Sequence, residues 1–414
     1  MALQAGYAKI DILPPSAELH LAGTFAREPR LGLHHRDPLL ARALALREGE
    51  RTVVILAVDV LCISEELHAA LVDALDELGP ESVFLAATHT HSSYGGFFMA
   101  GAASSILGAP RQEIFDFLVS RLAELARLAL LDLAPARARA ASAEVPGLVS
   151  SRRQADGPHD DQLVLLRLVR THRRPIDVVA VSGHPVMVSE RSPNTVSGDY
   201  PGELCRHLEA RGSDPLFLSA ALGGVSILFP EFQMDLERHM ELVLRQLDEG
   251  HRAAEEALQP VARGVLERDL VYLSHGPHQS RLFSGLGLGG RLLDALLVLP
   301  RRRFRKTFEK GLILEQGVPL HLVRLGDFCL VGTPADLGVS VLLGMRKAAK
   351  RKGSRTTLVA SQVNAYAGYI HTSEVYRRKP EKGYRFMAYY ENGLAVFGYE
   401  LGDRMVEAVA ERLG

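Results

Sequence analysis

The stretch that decides the fold is residues 86–96, Ala-Ala-Thr-His-Thr-His-Ser-Ser-Tyr-Gly-Gly, which contains His89 and His91. It follows residues 82–85, a short apolar run of the kind found in buried strands. The two histidines therefore lie where a strand leads into a glycine-rich loop. Histidines at positions i and i+2 can converge on one cation, or one can bind metal while the other acts as acid or base. They can equally be hydrogen-bonded loop residues, so the rest of the chain must supply further ligands.

The composition is that of an ordinary globular protein. The 414 residues are enough for one large or two ordinary domains, with 47% hydrophobic and 23% charged residues. Lysine and arginine total 48 against 49 aspartate and glutamate, a net charge of -1. A chain this close to neutral has no overall field that would draw it to nucleic acid or to an anionic membrane.

The cysteines and the N-terminus indicate the compartment. Cys62, Cys205 and Cys329 each lie in an apolar stretch and form no Cys-x-x-Cys pattern. This pattern predicts buried free thiols rather than a disulfide framework or a thiolate zinc site. Residues 1–9 lack the basic region and apolar core of a secretory signal. We expect a cytoplasmic protein, or a chain whose signal has been removed.

The apolar patterns predict an α/β fold. Strands are predicted at residues 5–12, 52–58, 162–169, 176–181, 216–222, 320–325, 328–331 and 357–361. Helices are predicted at residues 65–78, 112–133, 232–258, from about 337 to 350 and from about 392 to 413. Two of the connections, at residues 170–175 and 326–327, indicate hairpins.

Polar residues follow several of these strands. Asp59 ends the strand at 52–58 and could orient a metal-bound histidine, although capping the next helix is the preferred interpretation. His184 leaves the strand at 176–181 and so repeats the placement of His89. Asp199 is predicted to be a helix N-cap. Asp336 could serve a helix dipole or reach back as a carboxylate ligand.

An unusual apolar segment spans residues 282–300 and is followed by a basic run at 301–306. Its length and the charges of Arg291 and Asp294 make it a poor membrane-spanning helix. It could be a flap that touches a lipid-like substrate or a membrane surface. It could also be a core helix beside a solvated run of charges.

Five motifs, taken in order, resemble the neutral/alkaline (non-lysosomal) ceramidase family. They are Thr-His-Thr-His-Ser at 88–92, Gly-His-Pro at 183–185, Gly-Val-Ser at 224–226, Pro-Ala-Asp at 334–336 and Asn-Ala-Tyr-Ala-Gly-Tyr-Ile-His-Thr at 364–372. Residues 5–12 also look like the start of that family's catalytic domain. The resemblance implies mixed β-sheets flanked by helices, with residues 1–414 as one zinc hydrolase domain. We expect no C-terminal immunoglobulin-like domain.

The resemblance also implies a set of site residues. The family holds one zinc through two histidines, a glutamate and a tyrosine, which here correspond to His89, His184, Asp336 and Tyr369. Other roles transfer to His91 as the neighbouring or acid/base histidine, Arg152 or Arg153 as the substrate-binding arginine, Ser226 as the active-site serine and Tyr384 as a second tyrosine.

These residues imply an amidase. Zinc would lower the pKa of a bound water to about 7, and the resulting hydroxide would attack an acyl carbonyl. His91, with Tyr384 or Arg152, would stabilise the oxyanion and protonate the leaving amine. The expected substrate is an N-acyl amide, either a lipid such as the sphingolipid ceramide or another small molecule.

Three departures from the family pattern leave other functions open. Asp336 is one methylene shorter than the family's glutamate, Gly224 replaces an aspartate, and residues 377–389 match poorly. One alternative is a zinc hydrolase of an ester or phosphoester, for which Asp59 and Asp199 would supply bridging carboxylates. Another is a ceramidase-like binding protein without catalytic activity.

Overall fold

The computed structural model describes residues 2–15, 18–23, 30–99, 107–227, 234–274, 314 and 316–413. The apolar segment and basic run at 282–306 lie outside these described residues. The first ten strands are β1 Gln4–Asp11, β2 His20–Leu21, β3 Arg30–Leu31, β4 His34–His35, β5 Leu40–Glu48, β6 Arg51–Val58, β7 Val83–Ala87, β8 Ala134–Glu144, β9 Val149–Ser151 and β10 Gln162–Arg170.

Further strands follow in the second half of the chain. They are β11 Ile176–Val181, β12 Thr195–Val196, β13 Asp214–Ser219, β14 Val225–Ile227, β15 Gln259–Pro260, β16 Leu266–Leu273, β17 Val318–Leu325, β18 Phe328–Gly332, β19 Asp336–Leu337, β20 Thr356–Ala360 and β21 Tyr369–Ile370. The α-helices of the described residues are α1 Glu65–Ala74, α2 Gln112–Leu131, α3 Met187–Arg191, α4 Asp199–Ala210, α5 Leu236–Glu256, α6 Val339–Arg351, α7 Ser373–Arg377, α8 Arg385–Gly393 and α9 Leu401–Arg412.

The main sheet has the order β13-β11-β10-β8-β1-β5-β6-β7, and β15 pairs with β8. It is mixed, because β11 pairs with β13 and β6 with β7 in parallel, whereas its other pairs are antiparallel. The apolar runs of β5 and β6 are joined by a two-residue loop in which Gly49 has a φ of +63°. Glycine suits such a turn because it has no Cβ to oppose positive φ.

A second sheet has the order β16-β17-β18-β20. The hairpin predicted at 320–331 is confirmed as β17 and β18. The segment after β20 returns to the main sheet, where the Asn364 side-chain oxygen accepts a hydrogen bond from the Leu85 N–H at 2.8 Å. This contact places residues 361–371 beside the end of β7.

Helices cover both sheets. α2 packs on β1 and β5, α5 packs on β8 and β10, and α6 packs on β20 and α9. Each presents an apolar stripe to the sheet; in α2 the buried residues include Leu118, Leu122 and Leu125. The predicted fold class, mixed sheets flanked by helices, is confirmed. Within the described ranges, no helix is both long and apolar enough to cross a membrane.

The three cysteines are buried and free, as predicted. The single helix predicted from about 392 to 413 is wrong, because α8 ends at Gly393 and α9 begins at Leu401. Residues 394–400 form the intervening loop.

Both aspartates with predicted capping roles act differently. Ser64, rather than Asp59, caps α1 by accepting a hydrogen bond from the Leu67 N–H. Asp199 is the first residue of α4, with Gly198 at the N-cap. Its carboxylate accepts from the backbone N–H groups of Val188 and Tyr200.

Asp59 instead stabilises the start of residues 86–96, where it contacts Thr88. Its carboxylate accepts hydrogen bonds from the Leu40 N–H at 3.0 Å and the Thr88 hydroxyl at 3.1 Å.

We expect Thr88→Val to lower the free energy of unfolding by about 1–3 kcal/mol, since it leaves a buried carboxylate with one donor fewer. Urea denaturation measures the change, with the exposed Thr171→Val as control. Equal stability of the two variants would contradict this role for Thr88.

Candidate metal centre

Three histidines meet where strands of the main sheet end. His89 and His91 follow β7, and His184 follows β11. These strands are far apart in the order of the sheet, but β13 packs against β5, β6 and β7. This packing shows that the main sheet curves. Because β11 is the neighbour of β13, the curvature brings the ends of β7 and β11 together.

The three rings point their Nε2 atoms at one another. The Nε2 of His89 lies 3.1 Å from that of His184 and 3.3 Å from that of His91. One nitrogen from each histidine lies within 4.8 Å of the others, which is the spacing of ligands around one metal ion. His89 adopts a φ of +66°, a backbone conformation that non-glycine residues rarely adopt.

The tautomer of each ring follows from its other nitrogen. Each Nδ1 lies within hydrogen-bonding distance of a backbone carbonyl, and a carbonyl only accepts, so each Nδ1 carries the proton. The acceptors for His89, His91 and His184 are the oxygens of Leu61 at 2.6 Å, Gly23 at 2.7 Å and Leu222 at 3.0 Å. All three Nε2 atoms therefore present lone pairs to the same point.

A carboxylate completes this group. Asp336 Oδ1 lies 3.1 Å from His89 Nε2, and the side chain is buried. Gln362 Nε2 donates to Oδ1 at 2.8 Å, and the Tyr366 hydroxyl donates to Oδ2 at 3.1 Å. Neighbours of this kind hold a ligand in a defined orientation.

The electrostatics favour a bound cation. Burial lowers the pKa of His89 to about 3 and lowers the pKa values of His91 and His184 well below the usual range. Burial also raises the pKa of Asp336 to about 7. Converging lone pairs repel one another, and a proton is poorly held on these buried rings. The donor set therefore fits a metal ion.

Tyr369 lies next to His184, with ring centroids 6.4 Å apart and planes within 3° of parallel. Its hydroxyl accepts a hydrogen bond from Arg152 Nη2 at 2.9 Å. Pairing of β19 with β21 places Tyr369 directly opposite Asp336. Of the two candidate arginines, the described contacts with Tyr369 come from Arg152.

Glu391 was not foreseen from the sequence. It is buried on α8 and accepts hydrogen bonds from both arginines, Arg152 Nε at 2.7 Å and Arg153 Nη1 at 2.6 Å. In the sequence it stands in Tyr-Tyr-Glu-Asn, which does not distinguish it from an exposed helical glutamate. Its low exposure is a product of the tertiary packing.

Two predicted site residues have no contact with the three histidines among the described contacts. Ser226 is in β14, paired with Ser150 of β9, and the described contacts include no hydrogen bond from its hydroxyl to the histidines. Tyr384 ends a short 3₁₀ turn before α8. The ring of Tyr390 meets that of Tyr369 edge to face, with centroids 5.8 Å apart. Residues 377–389 match the family pattern poorly, so the sequence did not indicate that Tyr390 contacts Tyr369.

Comparison with known proteins agrees with the motifs. A family model described as neutral/alkaline non-lysosomal ceramidase, N-terminal, matches residues 3–199. The curated neutral ceramidase of Pseudomonas aeruginosa is 25% identical, over 91% of this chain and 68% of that protein. The N-terminal half of this chain, residues 3–199, therefore resembles the neutral/alkaline ceramidase family.

Solved structures of ceramidases share the fold. The crystal structure of the Pseudomonas aeruginosa neutral ceramidase superposes with a TM-score of 0.77 at 20% identity, covering all of this chain and 74% of that one. A structure described as a ceramidase complexed with C2 gives the same TM-score at 21% identity, covering 75% of its chain.

Proposed function

We propose that this chain is a zinc-dependent amidase that hydrolyses the N-acyl bond of ceramide or of a closely related lipid amide. The observation that carries the proposal is the convergence of three unprotonated Nε2 atoms and one buried carboxylate beside the Tyr369–Arg152 pair. Resemblance to the ceramidase family supports an amide bond as the target.

The proposed zinc ligands are His89, His184, Asp336 and Tyr369. Nitrogen and oxygen donors of this kind suit zinc. Zinc held there would lower the pKa of water and polarise an acyl carbonyl. The hydrogen bonds from Gln362 and Tyr366 would keep the shorter Asp336 aimed at the centre.

The surrounding residues have distinct proposed roles. His91 Nε2 carries no proton, so it can take one from the attacking water; because burial lowers the pKa of its ring, it readily releases that proton to the leaving amine. The Arg152 guanidinium provides a fixed positive charge for the oxygen that becomes negative in the transition state. We assign the second tyrosine to Tyr390 rather than Tyr384, because Tyr390 is the one that contacts Tyr369.

The phosphoesterase alternative receives less support. Two-metal sites of that kind need additional bridging carboxylates. Asp59 accepts from Thr88 and Leu40, and Asp199 accepts from Val188 and Tyr200. Both aspartates thus have partners within the fold.

Metal analysis and one substrate panel test the proposal. We expect one zinc per chain, and release of fatty acid from an N-acylsphingosine by the zinc-loaded protein. Two metals per chain with turnover of a phosphate ester would support the alternative function. Metal binding without turnover of any N-acylsphingosine would remove ceramide as the substrate.

A further inference from the structure

We infer that Glu391 is a positioning residue, which holds the Arg152 guanidinium in the orientation that contacts Tyr369. The inference rests on the proposed function, because it concerns the same centre. It assigns a task to a buried charge that the proposed chemistry does not use directly.

The carboxylate of Glu391 is saturated with donors. Besides Arg152 Nε and Arg153 Nη1, it accepts from His371 Nε2 at 3.0 Å and from the Gly224 N–H at 2.9 Å. Its side chain has 0% exposure. Four donors on two oxygens leave the carboxylate little freedom to change its orientation.

Arg152 links Glu391 to the metal centre. Its Nε edge donates to Glu391, while its Nη2 atom donates to the Tyr369 hydroxyl at 2.9 Å. Because a guanidinium is planar and rigid, fixing one edge fixes the direction of the other. The position of Glu391 therefore sets where Arg152 meets Tyr369.

Glu391 also joins three segments of the chain. Arg152 and Arg153 follow β9, Gly224 precedes β14, and His371 follows β21. β9 and β14 pair with each other, so the Glu391 carboxylate joins this two-stranded sheet to α8. Two arginines against one carboxylate leave an excess positive charge beside the centre.

A purely structural role predicts a different outcome from a positioning role. Removing one partner of any buried ion pair lowers stability. The chain offers a matched control in Asp177, which is equally buried and accepts from Arg167 and His251. Asp177→Asn is therefore expected to destabilise the fold without changing the metal centre.

The first test compares Glu391→Gln, Asp177→Asn and the wild type. Zinc affinity is measured by competition with a chelating dye. The kcat and KM are measured for an N-acylsphingosine. The amide keeps the size of the side chain but turns an NH₂ group toward donors. We expect zinc affinity and kcat of Glu391→Gln to fall about 10- to 100-fold, the usual effect of removing a residue that orients a ligand. Asp177→Asn should match the wild type in both. Equal values for all three proteins would overturn the inference.

A double-mutant cycle then tests the route through Arg152. Adding Glu391→Gln to Arg152→Met should cost much less than in the wild-type background, because the arginine to be held is absent. Fully additive losses would overturn the inference. Should Glu391→Gln fail to fold, Arg152→Lys replaces it. Lysine keeps the charge but lacks the two-edged fork, so zinc affinity should fall similarly, and an unchanged affinity would contradict the inference.

The two proposals can fail separately. A wild type that binds zinc but hydrolyses no N-acyl lipid contradicts the proposed function. The zinc affinities of the wild type and Glu391→Gln still test the positioning role of Glu391. A wild type that hydrolyses the lipid, with Glu391→Gln equal to it in kcat and zinc affinity, contradicts the positioning role alone.

Discussion

His89→Ala is expected to abolish stoichiometric zinc binding and to lower kcat/KM for an N-acylsphingosine by about 10³-fold or more, equivalent to about 4 kcal/mol. His89 is the only residue of the group whose Nε2 lies within 3.3 Å of both other histidine nitrogens and of the Asp336 carboxylate among the described contacts. Its removal therefore takes away the donor at the middle of the arrangement. Elemental analysis and steady-state kinetics measure the two effects.

His34→Ala is the control for this variant. His34 is an exposed histidine of β4 and should retain the wild-type metal content and turnover. Thermal unfolding of His89→Ala would separate loss of metal from loss of fold. A folded His89→Ala protein with one zinc and unchanged kcat/KM would show that the convergence of the imidazoles has no part in catalysis.

Asp336→Asn is expected to weaken zinc binding by about 100-fold or more, with a parallel loss of turnover at limiting zinc. The substitution removes the negative charge while keeping the size of the side chain. Metal affinity depends on that charge because the carboxylate is buried, where its attraction to a cation is weakly screened. Competition with a chelating dye gives the affinity.

Asp336→Glu provides the comparison for charge. It keeps the carboxylate but places it on the longer glutamate side chain of the family pattern. If charge is decisive, the zinc affinity should stay within about 10-fold of that of the wild type. If Asp336→Asn binds zinc as tightly as the wild type, the aspartate is not a ligand.

Local patterns were enough to find several members of the candidate site. His89 and His184 each follow an apolar run that forms a strand, and strand ends can be read from the sequence. Asp336 and Tyr369 were reached through the family motifs, and the structure brings them opposite each other on β19 and β21. The sequence did not indicate the ring contact between Tyr390 and Tyr369, because residues 377–389 just before Tyr390 diverge from the family pattern.

The sequence by itself determined the α/β class, the resemblance to the ceramidase family and the strand ends that His89 and His184 follow, because these depend on short-range periodicity and contiguous motifs. The tertiary structure alone decided that the Nε2 atoms of the three histidines converge, that Arg152 contacts Tyr369 and that Glu391 is buried. Those relations join residues as far apart as 239 positions, as in the hydrogen bond from Arg152 to Glu391. They depend on the curvature of the main sheet and the packing of α8, which no local pattern encodes.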